Sequence, residues 1–318
     1  MAFGRRSTPA GQHLPVLLQE VLEALKPGPG GVMVDATVGW AGHSCAILQI
    51  LGPEGKLIGT DLDPNNLPKA TERLTALGLP FVVRHTNFAA IPTILGEEGI
   101  LAVDGILADL GMSSMQVDDP ERGFSYVRDG PLDMRMDSTR GKTASQLLAT
   151  ITHEELVTAL RELGDEPDAD RITRAILEAR DRGDLLRTRD LSRVISEAVP
   201  KSNGGGKEWK LRPGKGKWNL HPAARTFQTL RILVNRELAN LDWLLRSIPY
   251  LLKPGGRAAI ISFHSGEDRL VKAAFREGER NGIYSTISAE PIRASMDERF
   301  NNPRSRSAKL RWAEKAPE

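Results

Sequence analysis

Three aspartates in the first third of the chain each end a run of apolar residues, where a carboxylate can bind a ligand. They are Asp35, Asp61 and Asp109. Ligands of open α/β sheets bind outside the carboxyl ends of the strands, which is where these side chains would lie. An acid after the second strand can accept hydrogen bonds from the two hydroxyls of a ribose. The pattern therefore predicts an adenosine-binding site at the ends of several strands.

The loop after Asp35 indicates which kind of adenosine cofactor fits. It reads Gly39-Trp-Ala-Gly42, which departs from the Gly-x-Gly-x-x-Gly spacing that places a pyrophosphate at a helix N-terminus. The Asp35 carboxylate would also repel a pyrophosphate. It suits a ligand with a positively charged centre, such as S-adenosylmethionine with its sulfonium and ammonium groups. The alternative is a loop whose glycines only let a helix pack closely on a strand.

The apolar pattern of the first half predicts an α/β fold with a parallel sheet. Short strands alternate with helical patterns, as such a sheet requires. The predicted elements are strands over 32–35, 57–60, 81–84 and 104–109 and a helix over 66–77. In the second half we predict a long helix from Pro222 towards Leu245, a fifth strand within 251–262, a helix over 267–279, and antiparallel strands near 284–287 and 308–313.

Between strands four and five the pattern changes to that of a helical insertion. Residues 113–142 are polar and rich in Gly, Pro, Met, Asp and Arg, and Gly141-Lys-Thr143 resembles only the end of a phosphate-binding loop. Helices with capping or stop signals are predicted over 152–164, 168–182 and 189–198. We therefore predict a Rossmann-like domain over 1–112 and 220–318, with an inserted all-helical domain over 113–219.

The composition is that of a globular protein with local basic segments. The chain has 318 residues, a formal net charge of +2 and a single cysteine, Cys45, which excludes a disulfide framework and fits a reducing cytosol. Because no apolar run approaches the ~20 residues of a membrane span, we expect a cytoplasmic protein without a membrane partner. Residues 201–217 and 299–311 are basic, and each is either a contact for a polyanion or a solvated surface. Trp209 and Trp218 could stack on single-stranded bases or anchor the first segment.

A series of longer motifs occurs in order along nearly the whole chain. The most specific is Arg128-Asp-Gly-Pro-Leu-Asp-Met-Arg-Met-Asp137. It is accompanied by Asp35-x-Thr-x-Gly-x-x-Gly-His-Ser44, Asp61-x-Asp-Pro64, Asp104-Gly-Ile-Leu-x-Asp-Leu-Gly-x-Ser-Ser-x-Gln116, His221-Pro-Ala-Ala-Arg-Thr-Phe-Gln228, Ser262-Phe-His-Ser265 and Asn302-Pro-Arg-Ser-Arg-Ser307. Together these motifs closely resemble those of the bacterial small-subunit (16S) ribosomal RNA cytosine N4-methyltransferases.

The resemblance implies a Rossmann-like, class I S-adenosylmethionine methyltransferase sheet whose helical insertion recognises RNA. It implies S-adenosyl-L-methionine as the methyl donor and the N4 amine of a decoding-centre cytosine, position 1402 of 16S ribosomal RNA, as the target. The partner would be 16S ribosomal RNA or the small ribosomal subunit, and the protein would be a monomer or a homodimer. The alternatives are a nucleotide-dependent oxidoreductase on the same sheet and a non-catalytic RNA-binding factor of ribosome assembly.

Two residues depart from the family pattern. Ala41 replaces the first glycine of the usual Gly-Gly-His-Ser, which costs little unless the position needs a positive φ. Gly266 replaces the leucine that usually follows Ser265, and we expect it to loosen the start of the next helix.

The predicted cofactor site combines the strand ends with residues that the resemblance supplies. Asp61 is expected to hold the ribose hydroxyls, the alternative being a cap for the next helix. Phe88 is placed by the resemblance beside the adenine but could equally be a core residue, and His43 could simply start a helix. No metal is expected although Asp63 follows Asp61, because methyl transfer needs none. The cofactor set is Asp35, Gly39, Ala41, Gly42, His43, Asp61, Phe88, Asp109 and Gln116.

The predicted catalytic residues follow from the chemistry of an exocyclic amine. Methyl transfer needs no covalent protein nucleophile, but the amine is a poor nucleophile because its lone pair is delocalised into the ring. A hydrogen-bond acceptor for its N–H groups would help, and Asp109 is the natural candidate, with Ser113 or Ser114 as helpers. The two serines could equally be turn residues. His264, at the end of strand five, could contact the base or a phosphate, or stabilise the turn.

Overall fold

A computed structural model of the chain describes residues 14–199 and 221–317, apart from the side chains of Ser114 and Met115. Its strands are β1 (Val32–Asp35), β2 (Lys56–Asp61), β3 (Phe81–His85), β4 (Val103–Asp109), β5 (Leu252–Ser262), β6 (Tyr284–Ile287) and β7 (Lys309–Lys315). Within the described ranges these strands form one sheet in the order β3-β2-β1-β4-β5-β7-β6.

The helices alternate with the strands of the sheet in the first part of the chain and follow one another between β4 and β5. They are α1 (Leu18–Leu25), α2 (Gly42–Leu51), α3 (Leu67–Thr75), α4 (Ile91–Glu97), α5 (Ser114–Asp118), α6 (Ala144–Thr150), α7 (His153–Glu162), α8 (Ala169–Asp181), α9 (Thr188–Ala198), α10 (Ala224–Asn235), α11 (Glu237–Leu251), α12 (Ser265–Arg280) and α13 (Met296–Asn301). None of the helices described is both long and apolar enough to cross a membrane.

The chain divides into two compact units, which we describe separately. The first contains the residues up to Gly111 and those from Leu238 onward, and it carries the sheet. The second runs from Met112 to Glu237. Residues 221–237, which the sequence placed with the sheet, therefore group with the helical unit.

The parallel part of the sheet brings the three acidic strand ends to one edge. β1 lies between β2 and β4, and Asp35 is opposite Gly59 on one side and Leu107 on the other. Asp61 ends β2 and Asp109 ends β4. The order β3-β2-β1-β4-β5 is that of a Rossmann-like sheet, in which ligands bind where the strand order reverses. The fold class predicted from the sequence is confirmed.

The sheet is buried on both faces, as its nearly continuous apolar strands require. Val34 and Ile58 belong to an apolar cluster that includes residues of α4, α11 and α12. Their neighbours Met33 and Leu57 belong to a second cluster, which includes residues of α1 and α2. Since successive strand residues point to opposite faces, the sheet forms the middle of three layers.

The two C-terminal strand patterns form an antiparallel pair, as predicted. β7 lies between β5 and β6 and is antiparallel to both. The Asp268 carboxylate on α12 accepts hydrogen bonds from Lys309 Nζ at 3.2 Å and from Arg311 Nε at 2.7 Å. These two cations of the basic segment 299–311 are thus paired within the protein, and they tie α12 to β7.

The second unit is built from helices around its own apolar core. Thr143 begins α6 with a capping box. The resemblance of residues 141–143 to the end of a phosphate-binding loop did not predict this role. Thr152 begins α7 in the same way, as the sequence indicated. The core includes Leu148, Leu160, Ile172, Ile176, Leu191, Ile195, Phe227 and Leu230.

The prediction of one long helix from Pro222 towards Leu245 is wrong, because two helices, α10 and α11, occupy this region. α10 ends at Asn235, and Arg236 has a φ of 51°, the left-handed conformation that commonly ends a helix. The Asn235 side chain accepts from the N–H of Met136 at 2.7 Å and donates to the carbonyl oxygen of Met134 at 2.8 Å. These partners lie about 100 residues away, so no local pattern shows them.

Candidate functional site

Asp61 accepts hydrogen bonds on both oxygens of its carboxylate. Oδ2 accepts from the backbone N–H of Gly39 at 2.6 Å, and Oδ1 accepts from the N–H of Asp63 at 2.8 Å and from Nδ2 of Asn66 at 3.2 Å. Asp61 is 8% exposed, and burial raises its pKa to about 6 although these hydrogen bonds oppose the rise. Because a carboxylate has about four acceptor positions, Asp61 retains capacity for a further donor such as a ribose hydroxyl.

The loop after β1 joins the three acidic strand ends. The N–H of Thr37 donates to Oδ1 of Asp35 at 3.1 Å, and its Oγ1 accepts from the N–H of Asp109 at 2.6 Å. Gly39, which donates to Asp61, has a φ of 54°. A Cβ at Gly39 would have only the Thr37 carbonyl oxygen within 4 Å, at 3.9 Å. The backbone beside the Asp61 carboxylate is therefore open to close approach by a ligand.

Asp35 is buried and its carboxylate is bonded inside the protein. Oδ2 accepts from Oγ of Ser44 at 2.6 Å, which fixes the first turn of α2 to the end of β1. Burial raises the pKa of Asp35, while the Ser44 hydrogen bond and the neighbouring His43 oppose the rise. With 1% exposure, the Asp35 side chain offers little surface for direct contact with a ligand. Its contact with the cofactor stays a prediction.

Ala41 occupies a position that glycine would adopt more easily. It precedes α2 with a φ of 59°, so the position does need a positive φ. The left-handed conformation costs a non-glycine residue about 1–2 kcal/mol. The Ala41 methyl group is fully buried, which returns about 0.8 kcal/mol. The next residue, Gly42, could not carry a side chain easily, since its Cβ would lie 3.1 Å from that of Pro15.

His43 and Asp109 meet between α2 and the end of β4. Nε2 of His43 is 2.9 Å from the carbonyl oxygen of Val16, and Nδ1 is 3.9 Å from Oδ2 of Asp109. Burial raises the pKa of Asp109, His43 opposes the rise, and the carboxylates of Asp35 and Glu267 add to it. The N–H of Gly111, 3.4 Å from Oδ1 of Asp109, also opposes the rise.

Phe88 follows β3 at the start of a short 3-10 helix. The Asn87 side chain caps this helix by accepting from the N–H of Ala89 at 2.9 Å. The Phe88 ring is half-buried and packs against the apolar cluster that contains Val34. One side of the ring thus serves the core, and a contact of Phe88 with adenine stays a prediction.

His264 caps α12 at the end of β5. Its Nδ1 accepts from the N–H of Glu267 at 3.3 Å, and Oε2 of Glu267 accepts from the N–H of Phe263 at 2.8 Å and from that of His264 at 3.2 Å. This capping box fixes the helix start on both sides of Gly266, where we expected a looser turn. A contact of His264 with a base or a phosphate stays a prediction.

Ser113 and Gln116 belong to the second unit. The N–H of Ser113 donates to Oε1 of Gln116 at 2.9 Å, and the N–H of Gln116 donates to Oγ of Ser113 at 3.3 Å. This reciprocal pair begins α5, so Ser113 has the turn role that the sequence left open. The side chain of Ser114 lies outside the described part of the chain. The predicted contacts of these residues with cofactor and target stay predictions.

The specific motif over 128–137 is a folded loop of the second unit. At Gly130 a Cβ would lie 1.8 Å from the carbonyl oxygen of Pro120, so only glycine fits. Asp133 accepts from Nε and Nη2 of Arg135, each at 2.7 Å. The unusual run of Met, Asp and Arg therefore encodes a tightly packed, ion-paired turn.

Three residues that organise the site had no role assigned from the sequence. Thr37 and Ser44 lie two and nine positions after Asp35, within the motif that the resemblance already used. An aspartate whose side chain accepts from the backbone N–H two residues later is typical of a side-chain-stabilised turn, so Asp35 itself was the signal for the bond to the Thr37 N–H. Glu267, three residues after His264, has the spacing of a capping box.

The strand order and the site together define a class of protein. It is a Rossmann-like α/β protein with acidic residues at the carboxyl ends of β1, β2 and β4, the edge at which such sheets bind ligands. The acceptor capacity of Asp61, the open backbone at Gly39, the buried carboxylate of Asp35 and the half-buried carboxylate of Asp109 fit an adenosine ligand with a positive centre.

Comparison with known proteins places the chain within this class. Residues 10–316 match the MraW methylase family. A protein of Acidobacterium capsulatum is 44% identical over 310 residues, covering 96% of this chain and 98% of its own. A Geobacter protein is 44% identical over 318 residues (95% and 98%), and one from Sorangium cellulosum is 45% identical over 302 residues (95% and 90%). Each of these relatives is called ribosomal RNA small subunit methyltransferase H. The chain belongs to the MraW methylase family.

Proposed function

We propose that this chain methylates 16S ribosomal RNA of the small subunit with S-adenosylmethionine as the donor. Membership of a methylase family and the names of relatives that cover nearly the whole chain support this reaction. Within it, we propose the N4 amine of cytosine 1402 as the target. The resemblance of the motifs, above all that over 128–137, supports this finer assignment.

The donor supplies a methyl group on a positively charged sulfur, and the strand ends bind and orient it. Asp61 accepts hydrogen bonds from the ribose hydroxyls, and the backbone of the loop from Gly39 to Gly42 approaches the ligand. The negative potential of Asp35 and Asp109 favours the positive centre. The residues proposed to hold the donor are Asp35, Gly39, Ala41, Gly42, His43, Asp61, Phe88, Asp109 and Gln116.

Asp109 is proposed to prepare the target amine for methylation. An ionised carboxylate accepts a hydrogen bond from the N–H of the amine and favours a more pyramidal nitrogen. The lone pair of that nitrogen then becomes more available. Ser113, Ser114 and His264 are proposed to help hold the base, and good positioning places the nitrogen ~3–3.5 Å from the methyl carbon.

The environment of Cys45 favours direct transfer of the methyl group to the amine over a route through a covalent cysteine adduct. It is half-buried in α2, and burial raises the pKa of its thiol. A thiol is a weak nucleophile until it loses its proton. The chain's only cysteine is therefore held in its less reactive form.

RNA recognition is proposed for the second unit and for the basic segment 299–311 of the first unit. Of the basic segment 299–311, Lys309 and Arg311 are engaged by Asp268, and we propose the exposed Arg306 for the RNA contact of this segment. The other basic segment, residues 201–217 with Trp209, and Trp218 beyond it, lie outside the described residues. Their contact with RNA remains a proposal from the sequence.

The observation that carries the proposal is the arrangement of Asp35, Asp61 and Asp109 around one loop in a member of a methylase family. The test is transfer of label from methyl-labelled S-adenosylmethionine to 16S ribosomal RNA, free or in small subunits. We expect transfer by the wild type and a loss of about 10²-fold in Asp109→Asn, which keeps the size of the side chain. Equal rates for the two proteins would remove Asp109 from the mechanism.

Ligand stabilisation separates the proposal from its two alternatives. We expect S-adenosylhomocysteine to raise the melting temperature and NAD or NADP to leave it unchanged. The reverse result would support an oxidoreductase. Tight RNA binding without any methyl transfer would support a non-catalytic assembly factor.

A further inference from the structure

The two ring nitrogens of His43 face a carbonyl oxygen and a carboxylate oxygen. Nε2 lies 2.9 Å from the Val16 carbonyl oxygen, and Nδ1 lies 3.9 Å from Oδ2 of Asp109. A neutral imidazole has one N–H and can serve only one acceptor, whereas the imidazolium serves both. His43 is 7% exposed, so little solvent reaches it to replace either partner. An imidazolium at this position would therefore satisfy both neighbours.

Other acids lie near Asp109 and disfavour its ionised form. Asp35 at the end of β1 and Glu267 on α12 both add to the rise in the pKa of Asp109 that burial causes, and His43 on α2 and the N–H of Gly111 oppose it. The 3.9 Å separation of Nδ1 and Oδ2 is an ion-pair distance, longer than a hydrogen bond. Hydrogen bonds at catalytic sites are often long in the free enzyme and tighten when substrate binds.

We propose that His43 is a positioning residue: held by the Val16 carbonyl oxygen, its imidazolium orients the Asp109 carboxylate and keeps it ionised. A protonated Asp109 would donate a hydrogen bond with one oxygen. An ionised Asp109 only accepts, which is what the N–H groups of the target amine require. The inference rests on the proposed function for the role of Asp109, but the ion pair itself can be tested without methylation.

The first test is the protonation state of His43, read by NMR of the protein labelled with ¹⁵N at histidine. At pH 7 we expect both ring nitrogens of His43 to carry protons. In Asp109→Asn the negative partner is gone, and we expect His43 to become neutral with its proton on Nε2. A neutral His43 in the wild type, or an unchanged charge in Asp109→Asn, would overturn the inference.

The second test is the pH profile of methyl transfer in His43→Gln. Glutamine can keep the hydrogen bond to Val16 but carries no charge. We expect the acidic limb of kcat/KM to move up by about one pH unit, which makes the variant about tenfold slower on that limb. The control is His85→Gln, because His85 is an exposed histidine whose Nε2 also faces a carbonyl oxygen, that of Leu62, at 3.1 Å. We expect its profile to match the wild type.

The two tests distinguish a failure of this inference from a failure of the proposed function. A merely structural role of His43 would change rates or stability but leave the acidic limb in place, and an unmoved limb would therefore overturn the inference. A wild type that shows the charged His43 but transfers no methyl group to ribosomal RNA would contradict the proposed function and leave the ion pair standing.

Discussion

The raised pKa of Asp61 makes the stability of the protein depend on pH in a way that one substitution removes. Asp61 ends β2, is 8% exposed and has a pKa of about 6 in the folded protein, against an ordinary value of 3.8. The folded state therefore binds this proton more tightly than the unfolded chain. Stability from this group is greatest at low pH and is lost as the pH rises from about 4 to about 6.

The size of the effect follows from the two pKa values. Ionising Asp61 costs the folded state about 3 kcal/mol at pH 8 and about 1.5 kcal/mol at pH 5. In Asp61→Asn this pH-dependent cost is absent. The amide also replaces one acceptor oxygen by a donor, which conflicts with the N–H of Gly39 or Asp63 and costs about 1–3 kcal/mol at every pH. The free energy of unfolding of the variant, relative to the wild type, should thus rise by about 1.5 kcal/mol from pH 5 to pH 8.

Urea denaturation of both proteins at several pH values between 5 and 8 measures this difference directly. Asp133→Asn is the control. Burial of Asp133 tends to raise its pKa, but the hydrogen bonds from Arg135 outweigh this and lower it, so Asp133 titrates below the range. Its stability difference from the wild type should be flat. A flat difference for Asp61→Asn as well would refute the reasoning, because Asp61 would then ionise at its ordinary pKa.

The same titration has a functional consequence for ligand binding. If ribose hydroxyls donate to the ionised Asp61, wild-type affinity for S-adenosylhomocysteine should fall about tenfold from pH 7 to pH 5. Isothermal calorimetry checks this, and the Asp61→Asn variant should bind weakly without that pH dependence. Equal pH dependence in the two proteins would assign the effect to another group.

Three further substitutions test local parts of the account. Ala41→Val should lower the free energy of unfolding by about 2 kcal/mol, since a β-branched residue is strained at a φ of 59°. Ala41→Gly should change it by less than about 1 kcal/mol. Urea denaturation of the two variants measures both effects. Asn235→Ala should cost about 2 kcal/mol in the same assay, because it leaves the Met136 N–H without its partner; a neutral result would show that the loop over 128–137 is held by other contacts. Arg306→Gln should lower by about 1 the slope of log RNA affinity against log salt concentration. Lys309→Gln removes only a partner of Asp268 and should leave this slope unchanged. Equal slopes for the two variants would count against an RNA contact at Arg306.

The sheet could be predicted from the sequence because the residue patterns that indicate its strands are local. Val32–Val34 and Leu57–Thr60 are short apolar runs ended by acids, and such runs alternate with helical patterns. Strand position alone then placed Asp35, Asp61 and Asp109 at one edge. The antiparallel pair near the C-terminus followed from similar local patterns.

The residues that the sequence misjudged depend on contacts between distant parts of the chain. The break at Arg236 leaves no local signal, because Asn235 bonds to Met134 and Met136 about 100 residues away. The pairing of His43 with Asp109 depends on the packing of α2 against the end of β4. Ala41 is a different case. The sequence shows an alanine at this position, but the conformational cost of that alanine depends on a φ that only the folded loop sets.

The central claim is that this chain transfers a methyl group to an exocyclic cytosine nitrogen of small-subunit ribosomal RNA. The most direct measurement is mass spectrometry of nucleosides from 16S ribosomal RNA after incubation with the purified protein and methyl-labelled S-adenosylmethionine. The account predicts labelled N4-methylcytidine, formed by the wild type and strongly reduced with Asp109→Asn. Label in 5-methylcytidine or in a 2′-O-methylated nucleoside would contradict it. So would the absence of label from both substrates, small subunits and free RNA.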